Sequence, residues 1–264
     1  MHNGYDDPKK IQEAKRLAAG PLGEKLSKFP MLFAKAAFIG ERPAENNNTM
    51  VNNGTVTLVN LGTGPMLVTC YHVLDSYREL LKKNESVLFQ VGNVELNPLS
   101  QLIGENERLD IATISLNSEQ AEDIKRGGEI GSCFFEPRSW PPPTPEEGEF
   151  VSFGGFPGRW RERYAFDEIV FPSFSIGACM VKQVAEDRFA CQFEREYWVN
   201  SFNTDNRPHL YDLGGMSGCP AFIHRGLYWD FVGVIYAFSA PYDIMYLRPA
   251  HLLCRDGSIR DPFG

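Results

Sequence analysis

The 264-residue chain lacks long hydrophobic runs and an excess of positive charge, and each absence excludes a class of protein. No apolar run reaches the length needed to span a membrane, so we expect no membrane partner. Residues 1–10 lack the charged start and apolar core of a secretion signal, which predicts a cytoplasmic protein if the chain begins there. The formal net charge is −8, from 34 acidic and 26 basic residues, so we expect no nucleic-acid partner.

The sequence also lacks the short motifs that bind metals and phosphates. It contains no Cys-x-x-Cys pair, no His-Glu-x-x-His and no Gly-x-x-x-x-Gly-Lys segment, so we predict neither a metal site nor a cofactor. Its six cysteines are scattered without the spacing of a disulfide scaffold, and we expect them to be reduced. They are Cys70, Cys133, Cys179, Cys191, Cys219 and Cys254.

Residues typical of turns and strands are abundant instead. The 24 glycines and 18 prolines lie among short runs rich in valine, isoleucine, phenylalanine and tyrosine, which is a composition typical of strands separated by turns. Hydrophobic residues make up 43% of the chain, enough for a large buried core. These features predict an all-β fold class.

Three polar residues stand beside apolar strands, far apart in the sequence. Residues 67–70 lead into His72, Asp110 precedes the apolar residues 111–114, and Ser217 lies in a glycine-rich turn before another apolar strand. A serine hydroxyl becomes a nucleophile when a base accepts its proton, histidine can act as that base at neutral pH, and aspartate can orient the histidine. Taken singly, each residue could instead have a structural role, as a strand-end histidine, a turn cap or a loop serine.

In the order histidine, aspartate, serine, the chain resembles the chymotrypsin-like (trypsin-like) serine peptidases over roughly residues 50–254. Val73 stands where vertebrate members commonly carry a bridging cysteine, so the resemblance is to a bacterial or intracellular branch. It implies that Ser217 is the nucleophile, His72 the general base and Asp110 the residue that orients the imidazole. It also implies that the backbone N–H groups of Gly215 and Ser217 form an oxyanion hole.

The resemblance further implies two six-stranded antiparallel β-barrels, with a short helical N-terminal extension and a C-terminal helix. We predict the extension over residues 1–45, the first barrel over 46–139, a proline-rich linker over 140–148 and the second barrel with the C-terminal helix over 149–264. The predicted strands are 55–60, 66–70, 87–91 and 109–116 in the first barrel, and 150–153, 167–171, 174–184, 188–193, 220–224 and 231–238 in the second. Helical segments are predicted at 8–18, 24–28, 75–83 and 249–254, with residues 20–23 ending the first of them.

The substrate pocket implied by the resemblance is lined by Tyr211, Asp212, Tyr236, Ala237 and Phe238. Tyr211 stands where trypsin-type members place the acid that selects lysine or arginine, which argues against trypsin specificity. Asp212 could attract a basic side chain or could cap a turn. Phe238 falls where many relatives have glycine, so we expect a narrowed pocket, and the same strand should pair with an extended substrate.

The sequence therefore predicts a serine endopeptidase that cleaves a protein or peptide substrate through an acyl-enzyme. Because a free cytosolic protease is hazardous to its host, we also expect gating by substrate selectivity or by a regulatory protein partner. Two alternatives stay open. One is a non-catalytic peptide-binding or scaffold module on the same fold, and the other is an esterase-like hydrolase that uses the same three residues.

Overall fold

The computed structural model describes residues 12–13, 16, 20–41, 51–127, 131–165, 168–192 and 213–264. Within these ranges the protein is mostly β, with a curled seven-stranded sheet followed by a closed six-stranded barrel. The predicted all-β class is thus confirmed. The strands of the sheet are β1 (Ala34–Glu41), β2 (Asn52–Asn60), β3 (Pro65–Thr69), β4 (Val87–Val91), β5 (Val94–Leu96), β6 (Leu102–Asn106) and β7 (Ile111–Ser115).

The first sheet is antiparallel and has the strand order β5-β4-β1-β2-β3-β7-β6. The prediction was a six-stranded barrel, and the described strands form a curled sheet of seven strands, in which β1 is the additional strand. Residues 34–41, which the prediction assigned to the N-terminal extension, therefore pair with β2 and β4. Three alanines and Lys35 give this strand a weak β-propensity, so its local pattern does not predict a strand. Its inward residues Ala37 and Ile39 are fully buried.

The closed barrel has the strand order β11-β12-β15-β14-β13-β8. Its strands are β8 (Phe150–Gly155), β11 (Phe174–Val184), β12 (Phe189–Gln192), β13 (Pro220–His224), β14 (Trp229–Ser239) and β15 (Ile244–Pro249). The predicted barrel strand at 167–171 is replaced by a separate hairpin of β9 (Glu162–Ala165) and β10 (Glu168–Val170). The sixth barrel strand is β15, which sequence reasoning missed because Arg248 and Pro249 interrupt its apolar pattern.

Three described α-helices accompany the strands: α1 (Pro21–Met31), α2 (Tyr71–Leu81) and α3 (Ser118–Arg126). Residues 20–23 were predicted to end a helix, but Gly20 is the N-cap of α1 and Pro21 its first residue, because proline's fixed φ and missing N–H suit that position. Most of the predicted helix at 8–18 lies outside the described residues. The predicted C-terminal helix is only a three-residue 3₁₀ turn, Ala250–Leu252, like the one at Gly158–Trp160.

The N-terminal segment joins the two halves of the molecule. Helix α1 lies on the barrel, where Phe29 stacks on Trp229 with ring centroids 4.1 Å apart, and the chain then enters the middle of the first sheet as β1. A side chain at Gly177 of β11 would lie 3.0 Å from Leu26 Cβ of the helix, so the contact depends on that glycine. No helix in the described part of the chain is long and apolar enough to cross a membrane.

Aromatic side chains fill the boundary between the sheet and the barrel. Phe222 of β13 contacts both Phe33 and Phe135, with centroids 5.2 and 5.0 Å apart. The predicted linker begins at Trp140, whose indole lies near Phe231 and donates a hydrogen bond to the Leu253 carbonyl at 2.9 Å. These contacts fix the sheet and the barrel against each other, as a site shared between them requires.

Candidate active site

His72 and Asp110 form a hydrogen-bonded pair at one end of the first sheet. Strands β3 and β7 are neighbours, with Thr69 opposite Ala112, so the residue that follows β3 and the residue that precedes β7 come together. His72 Nδ1 lies 2.7 Å from Asp110 Oδ2, and the His72 backbone N–H donates to Asp110 Oδ1 at 3.0 Å. His72 lies in the first turn of α2, not at a strand end, so Asp110 also satisfies an N–H group that the helix leaves open.

This geometry decides which nitrogen of His72 can act as a base. An ionised carboxylate can only accept hydrogen bonds, so Nδ1 carries the proton that it shares with Asp110. In the neutral imidazole Nε2 then has the free lone pair. The side chain of His72 is 50% exposed, whereas that of Asp110 is 21% exposed. The base is therefore accessible to a reactant, and its orienting carboxylate is largely covered.

The loop that carries Asp110 is held in an uncommon conformation by its neighbours. Asp110 has a φ of +52°, in the left-handed region that few non-glycine residues adopt, asparagine and aspartate being the commonest of them. Its N–H donates to the Glu107 carbonyl at 3.1 Å, and the N–H of Leu109 donates to Asn106 Oδ1 at 2.9 Å. Asn106 in turn donates to Asp261, whose pKa is lowered by the Phe263 N–H, by Asn106 and by Arg108.

Ser217 lies in a turn that only glycine can build. Gly215 and Gly218 have φ values of +96° and +90°, and neither has room for a side chain. A Cβ at Gly215 would lie 2.6 Å from the Gly158 nitrogen, and one at Gly218 would lie 2.1 Å from the Thr55 carbonyl oxygen. Both close contacts are with backbone atoms, which cannot move aside cheaply. The two glycines therefore allow the turn to press against its surroundings on both sides of Ser217.

The two N–H groups predicted to form the oxyanion hole have no acceptor among the described residues. The Gly214 carbonyl accepts a hydrogen bond from the Gly158 N–H at 2.6 Å. Since C=O and N–H point in opposite directions across a trans peptide bond, the N–H of Gly215 points away from Gly158. The N–H of Ser217 likewise makes no hydrogen bond within the described part of the chain. Two unpaired donors on one turn suit a ligand oxygen that carries negative charge.

The serine turn meets the first sheet beside the His72–Asp110 pair. The Thr55 N–H of β2 donates to the Ser217 carbonyl at 3.0 Å, and a Cβ at Gly218 would lie 3.0 Å from the Cα of Thr69, where β3 ends. Ser217 is half-buried. Among the residues that the structure describes, Ser217 Oγ and His72 Nε2 do not form a hydrogen bond with each other. Catalytic hydrogen bonds are often long in ligand-free structures and shorten when substrate binds.

Two cysteines lie near the site, and neither is suited to be the nucleophile. Cys70 and Cys219 are fully buried, and burial raises the pKa of each thiol well above its ordinary value. Cys70 Sγ donates to the Ile235 carbonyl at 3.3 Å. Its sulfur lies within 4.8 Å of ligand atoms of His72 and Asp110, which is close enough for a metal site. Metals bind the thiolate, however, and burial disfavours that form here.

The residues predicted to line a substrate pocket are only partly described. Tyr211 and Asp212 lie outside the described residues. Tyr236, Ala237 and Phe238 lie on β14 and are half-buried. Phe238 pairs with Met245 of β15 and packs against the barrel core.

Tyr236 packs against an arginine, and its strand has an edge beside the serine turn. The guanidinium of Arg248 lies 3.8 Å from the centre of the Tyr236 ring, and burial raises the pKa of this tyrosine. Strand β13 pairs with β14 only as far as Val234. In the described part of the chain, no strand lies on the β13 side of Tyr236 and Ala237. The Gly218 N–H donates to the carbonyl of Ile235, so this edge begins next to the turn that carries Ser217.

Sequence reasoning missed Thr55, which contacts the serine turn from the first sheet. Its hydroxyl donates to the Gly215 carbonyl at 2.7 Å and accepts from the Phe156 N–H at 3.1 Å. The sequence signal that could have identified it is a polar residue at a strand position that is buried. Thr55 and Thr57 alternate along β2 and both point inward, where an apolar residue is the norm for a strand packed on both faces.

The chain is similar in fold to solved proteases at low sequence identity. A protease of M. tuberculosis in its active form is 12% identical, with 92% of this chain and 82% of that one covered and a TM-score of 0.42. An inactivated protease paralogue of the scabies mite is 12% identical, with 86% and 91% covered and a TM-score of 0.46. A mutant of the tobacco etch virus protease is 11% identical, with 81% and 72% covered and a TM-score of 0.43.

No protein-family model and no curated protein matches the sequence. Similarity at these identities and TM-scores concerns the fold and says nothing about the role of any residue. The active and inactivated proteases among the similar structures share that fold. The chemistry of this chain must therefore be judged from its own side chains.

Proposed function

We propose that this chain is a serine endopeptidase in which Ser217 attacks the substrate carbonyl, His72 is the general base and Asp110 orients it. The observation that carries the proposal is the bidentate contact of Asp110 with His72, at 2.7 Å to Nδ1 and 3.0 Å to the backbone N–H. A carboxylate placed in this way holds the imidazole in the tautomer that can accept a proton from serine. The buried, neutral thiols nearby leave Ser217 as the accessible candidate nucleophile.

The proposed reaction proceeds in two balanced steps. Ser217 Oγ bonds to the peptide carbonyl carbon while its proton passes to His72 Nε2, and the resulting oxyanion accepts hydrogen bonds from the N–H groups of Gly215 and Ser217. His72 then gives the proton to the leaving amine as the C–N bond breaks. Water repeats the sequence on the acyl-enzyme, releasing the carboxylic acid and restoring the serine.

An extended peptide is the proposed substrate because of the edge along Tyr236 and Ala237. Backbone groups on such an edge can pair with a peptide as an added strand, which places a carbonyl near the adjacent serine turn. An ester lacks the N–H groups needed for this pairing. The edge therefore favours a peptidase over an esterase-like hydrolase. We further propose that a protein partner or narrow substrate selectivity limits cleavage, so that the isolated protein should digest casein slowly.

The proposal is tested with a fluorophosphonate probe, which reacts with an activated serine. We expect the wild-type protein to be labelled on the peptide that contains Ser217, as mapped by mass spectrometry. Ser217→Ala and His72→Ala should not be labelled, whereas Ser100→Ala, a change at an exposed serine, should be labelled like the wild type. An unlabelled wild-type protein, or equal labelling of Ser217→Ala, would refute the enzymatic function.

A second experiment separates peptidase from esterase activity. The wild-type protein and His72→Ala are incubated with the same cell lysate, and new protein termini are identified by mass spectrometry. Termini that appear only with the wild type support cleavage of peptide bonds. A labelled enzyme that generates no such termini would leave the cleavage of peptide bonds unsupported.

One observation favours a non-catalytic peptide-binding module as the second candidate. Within the described residues, Ser217 Oγ and His72 Nε2 are not hydrogen-bonded to each other, so no nucleophile–base pair is formed there. A binding module would bind extended peptides without reacting with the probe. Peptide binding by an unlabelled wild-type protein, measured by calorimetry, would support this alternative.

A further inference from the structure

Three buried threonines of the first sheet contact the region of the serine turn. The side chains of Thr55, Thr57 and Thr69 are fully buried. Thr57 donates to the Gly218 carbonyl at 2.7 Å, and Thr69 donates to the carbonyl of Thr55 at 2.9 Å. Buried hydroxyls are tolerated when each finds a partner. Those of Thr55 and Thr57 donate to carbonyls of the serine turn, and that of Thr69 donates within the sheet, to β2. The first sheet therefore holds the turn through polar contacts as well as through packing.

Thr55 contacts the turn at two positions. Its hydroxyl donates to the Gly215 carbonyl at 2.7 Å, and its backbone N–H donates to the Ser217 carbonyl at 3.0 Å. The same hydroxyl accepts from the N–H of Phe156, in the segment that follows β8. Both hydrogen-bonding functions of the hydroxyl are thus used, and both partners belong to the half of the molecule that carries the serine. One side chain of the sheet fixes two separate segments of the other half.

We infer that Thr55 is a positioning residue that keeps the oxyanion donors of the serine turn pointing into the site. This inference rests on the proposed function. The carbonyls of Gly214, Gly215 and Ser217 all accept hydrogen bonds, from Gly158, Thr55 and Thr55 respectively. Rotation of the Gly214–Gly215 peptide would break its bond from Gly158 and replace the Gly215 N–H with a carbonyl at the site. A carbonyl oxygen there repels the negative oxygen that the reaction forms, so a turn held against rotation is a requirement for catalysis. Thr55 acts on this peptide from both sides, because its hydroxyl bonds to the carbonyl of the next peptide and to Phe156, in the segment that leads to Gly158.

Glycine makes this restraint necessary. Gly214 and Gly215 lack side chains, and glycine rotates more freely about its backbone bonds than any other residue. The conformation with φ of +96° at Gly215 is therefore one of several that the isolated turn could adopt. The hydroxyl of Thr55 holds the peptide that follows Gly215, and the N–H of Gly158 holds the peptide that precedes it, so the backbone is fixed on both sides of Gly215. The role concerns geometry, since Thr55 does not touch the reacting atoms.

The test compares Thr55→Val, Thr55→Ser and Thr113→Val in the full-length protein. Valine keeps the shape of threonine and removes the hydroxyl, whereas serine keeps the hydroxyl. Thr113 is the matched control because it is also fully buried in the first sheet and its hydroxyl donates to a backbone carbonyl, that of Gly257, at 2.6 Å. Each variant is assayed by the rate of fluorophosphonate labelling and by the kcat and KM for hydrolysis of p-nitrophenyl acetate.

We expect Thr55→Val to lower kcat by about 10- to 100-fold with KM changed by less than about threefold, because the donors act mainly on the charged transition state. Thr55→Ser and Thr113→Val should retain a kcat within about threefold of the wild type. The far-downfield NMR signal of the proton between His72 and Asp110 should be the same in all of these proteins. A change confined to the oxyanion donors leaves the hydrogen bond between His72 and Asp110 intact, whereas partial unfolding of the site would weaken it and shift this signal.

Equal kcat values for Thr55→Val and Thr113→Val would overturn the inference, and so would a Thr55→Ser variant as impaired as Thr55→Val. If Thr55→Val does not fold, Thr55→Ala is compared with Thr55→Ser, and equal kcat values overturn it in the same way. A wild-type protein that the probe does not label refutes the proposed function and this inference together. A labelled wild type with an unimpaired Thr55→Val refutes the role of Thr55 alone.

Discussion

Replacing Asp110 with asparagine removes one charge and exchanges one acceptor for a donor. Asp110 Oδ1 accepts from the backbone N–H of His72, and Oδ2 accepts from Nδ1. Asparagine has a single oxygen, and the fixed backbone N–H requires it. The amide NH₂ then faces Nδ1 and can only donate, so Nδ1 must become the acceptor. The proton of the neutral imidazole moves to Nε2, and the base of the proposed reaction is lost.

The structure separates the effect of this change on activity from its effect on stability. In serine proteases with this arrangement, the corresponding change lowers kcat by about 10⁴-fold through the wrong tautomer, and we expect a loss of that order. Asparagine still accepts from the first-turn N–H of α2, so the free energy of unfolding should change by less than about 0.5 kcal/mol. Asp110→Ala loses that hydrogen bond as well and should cost about 1 kcal/mol.

The assay is the rate of fluorophosphonate labelling, paired with urea unfolding of the same samples. Asp75→Asn is the matched control because it also replaces an aspartate with asparagine near His72. Asp75 lies in α2, one turn beyond His72. We expect Asp75→Asn to be labelled at the wild-type rate. An Asp110→Asn protein that is folded and is labelled at more than about a tenth of the wild-type rate would show that Asp110 does not set the tautomer of His72.

Three further predictions concern the serine turn, helix α1 and the cysteines. Gly218→Ala should destabilise the protein by more than about 2 kcal/mol in urea unfolding, because it combines a strained φ with a backbone clash. Gly148 has the same φ of +90° and nothing within 4 Å of an added Cβ, so Gly148→Ala should cost only about 1 kcal/mol. Equal costs for the two variants would contradict the clash. Phe29→Ala removes the ring that stacks on a tryptophan of the barrel, so it should lower the free energy of unfolding by about 2–3 kcal/mol. A loss below about 1 kcal/mol would mean that α1 does not stabilise the barrel. Iodoacetamide should modify the exposed Cys133 in the native protein, whereas the buried Cys219 should react only after unfolding. Peptide mapping identifies the modified cysteine, and rapid modification of Cys219 in the native protein would contradict its burial.

The sequence was sufficient to predict the class of fold, whereas the pairing of His72 with Asp110 was expected from the resemblance that their order carries. In the structure the two side chains are hydrogen-bonded. Each of these residues adjoins a strongly apolar strand, and adjacent strands bring such ends together. The pattern was less informative where a strand carries small or polar residues. Lys35 and three alanines concealed β1, and Arg248 concealed β15, because the tertiary contacts that bury these residues are invisible in a local pattern.

The conformation of the serine turn was predictable only in part. The glycines on either side of Ser217 indicated a tight turn, but the sequence could not identify what holds it. Part of the restraint comes from Thr55, more than 150 residues away along the chain, whose hydroxyl bonds to two backbone groups. Likewise, the left-handed φ of Asp110 depends on a chain of contacts through Asn106 to Asp261. Such long-range polar contacts have no periodicity and leave no motif.

The path of residues 21–41 bears on how the protein could be divided. The helix of this segment lies on the barrel and its strand lies within the sheet, so the two halves are joined here as well as through residues 140–148. A backbone cut within 140–148 would leave one fragment that carries His72 and Asp110 together with a helix that binds the other fragment. That second fragment would carry Ser217. Neither piece alone would contain all three residues of the proposed reaction, and their reassembly in solution would bring the three together again.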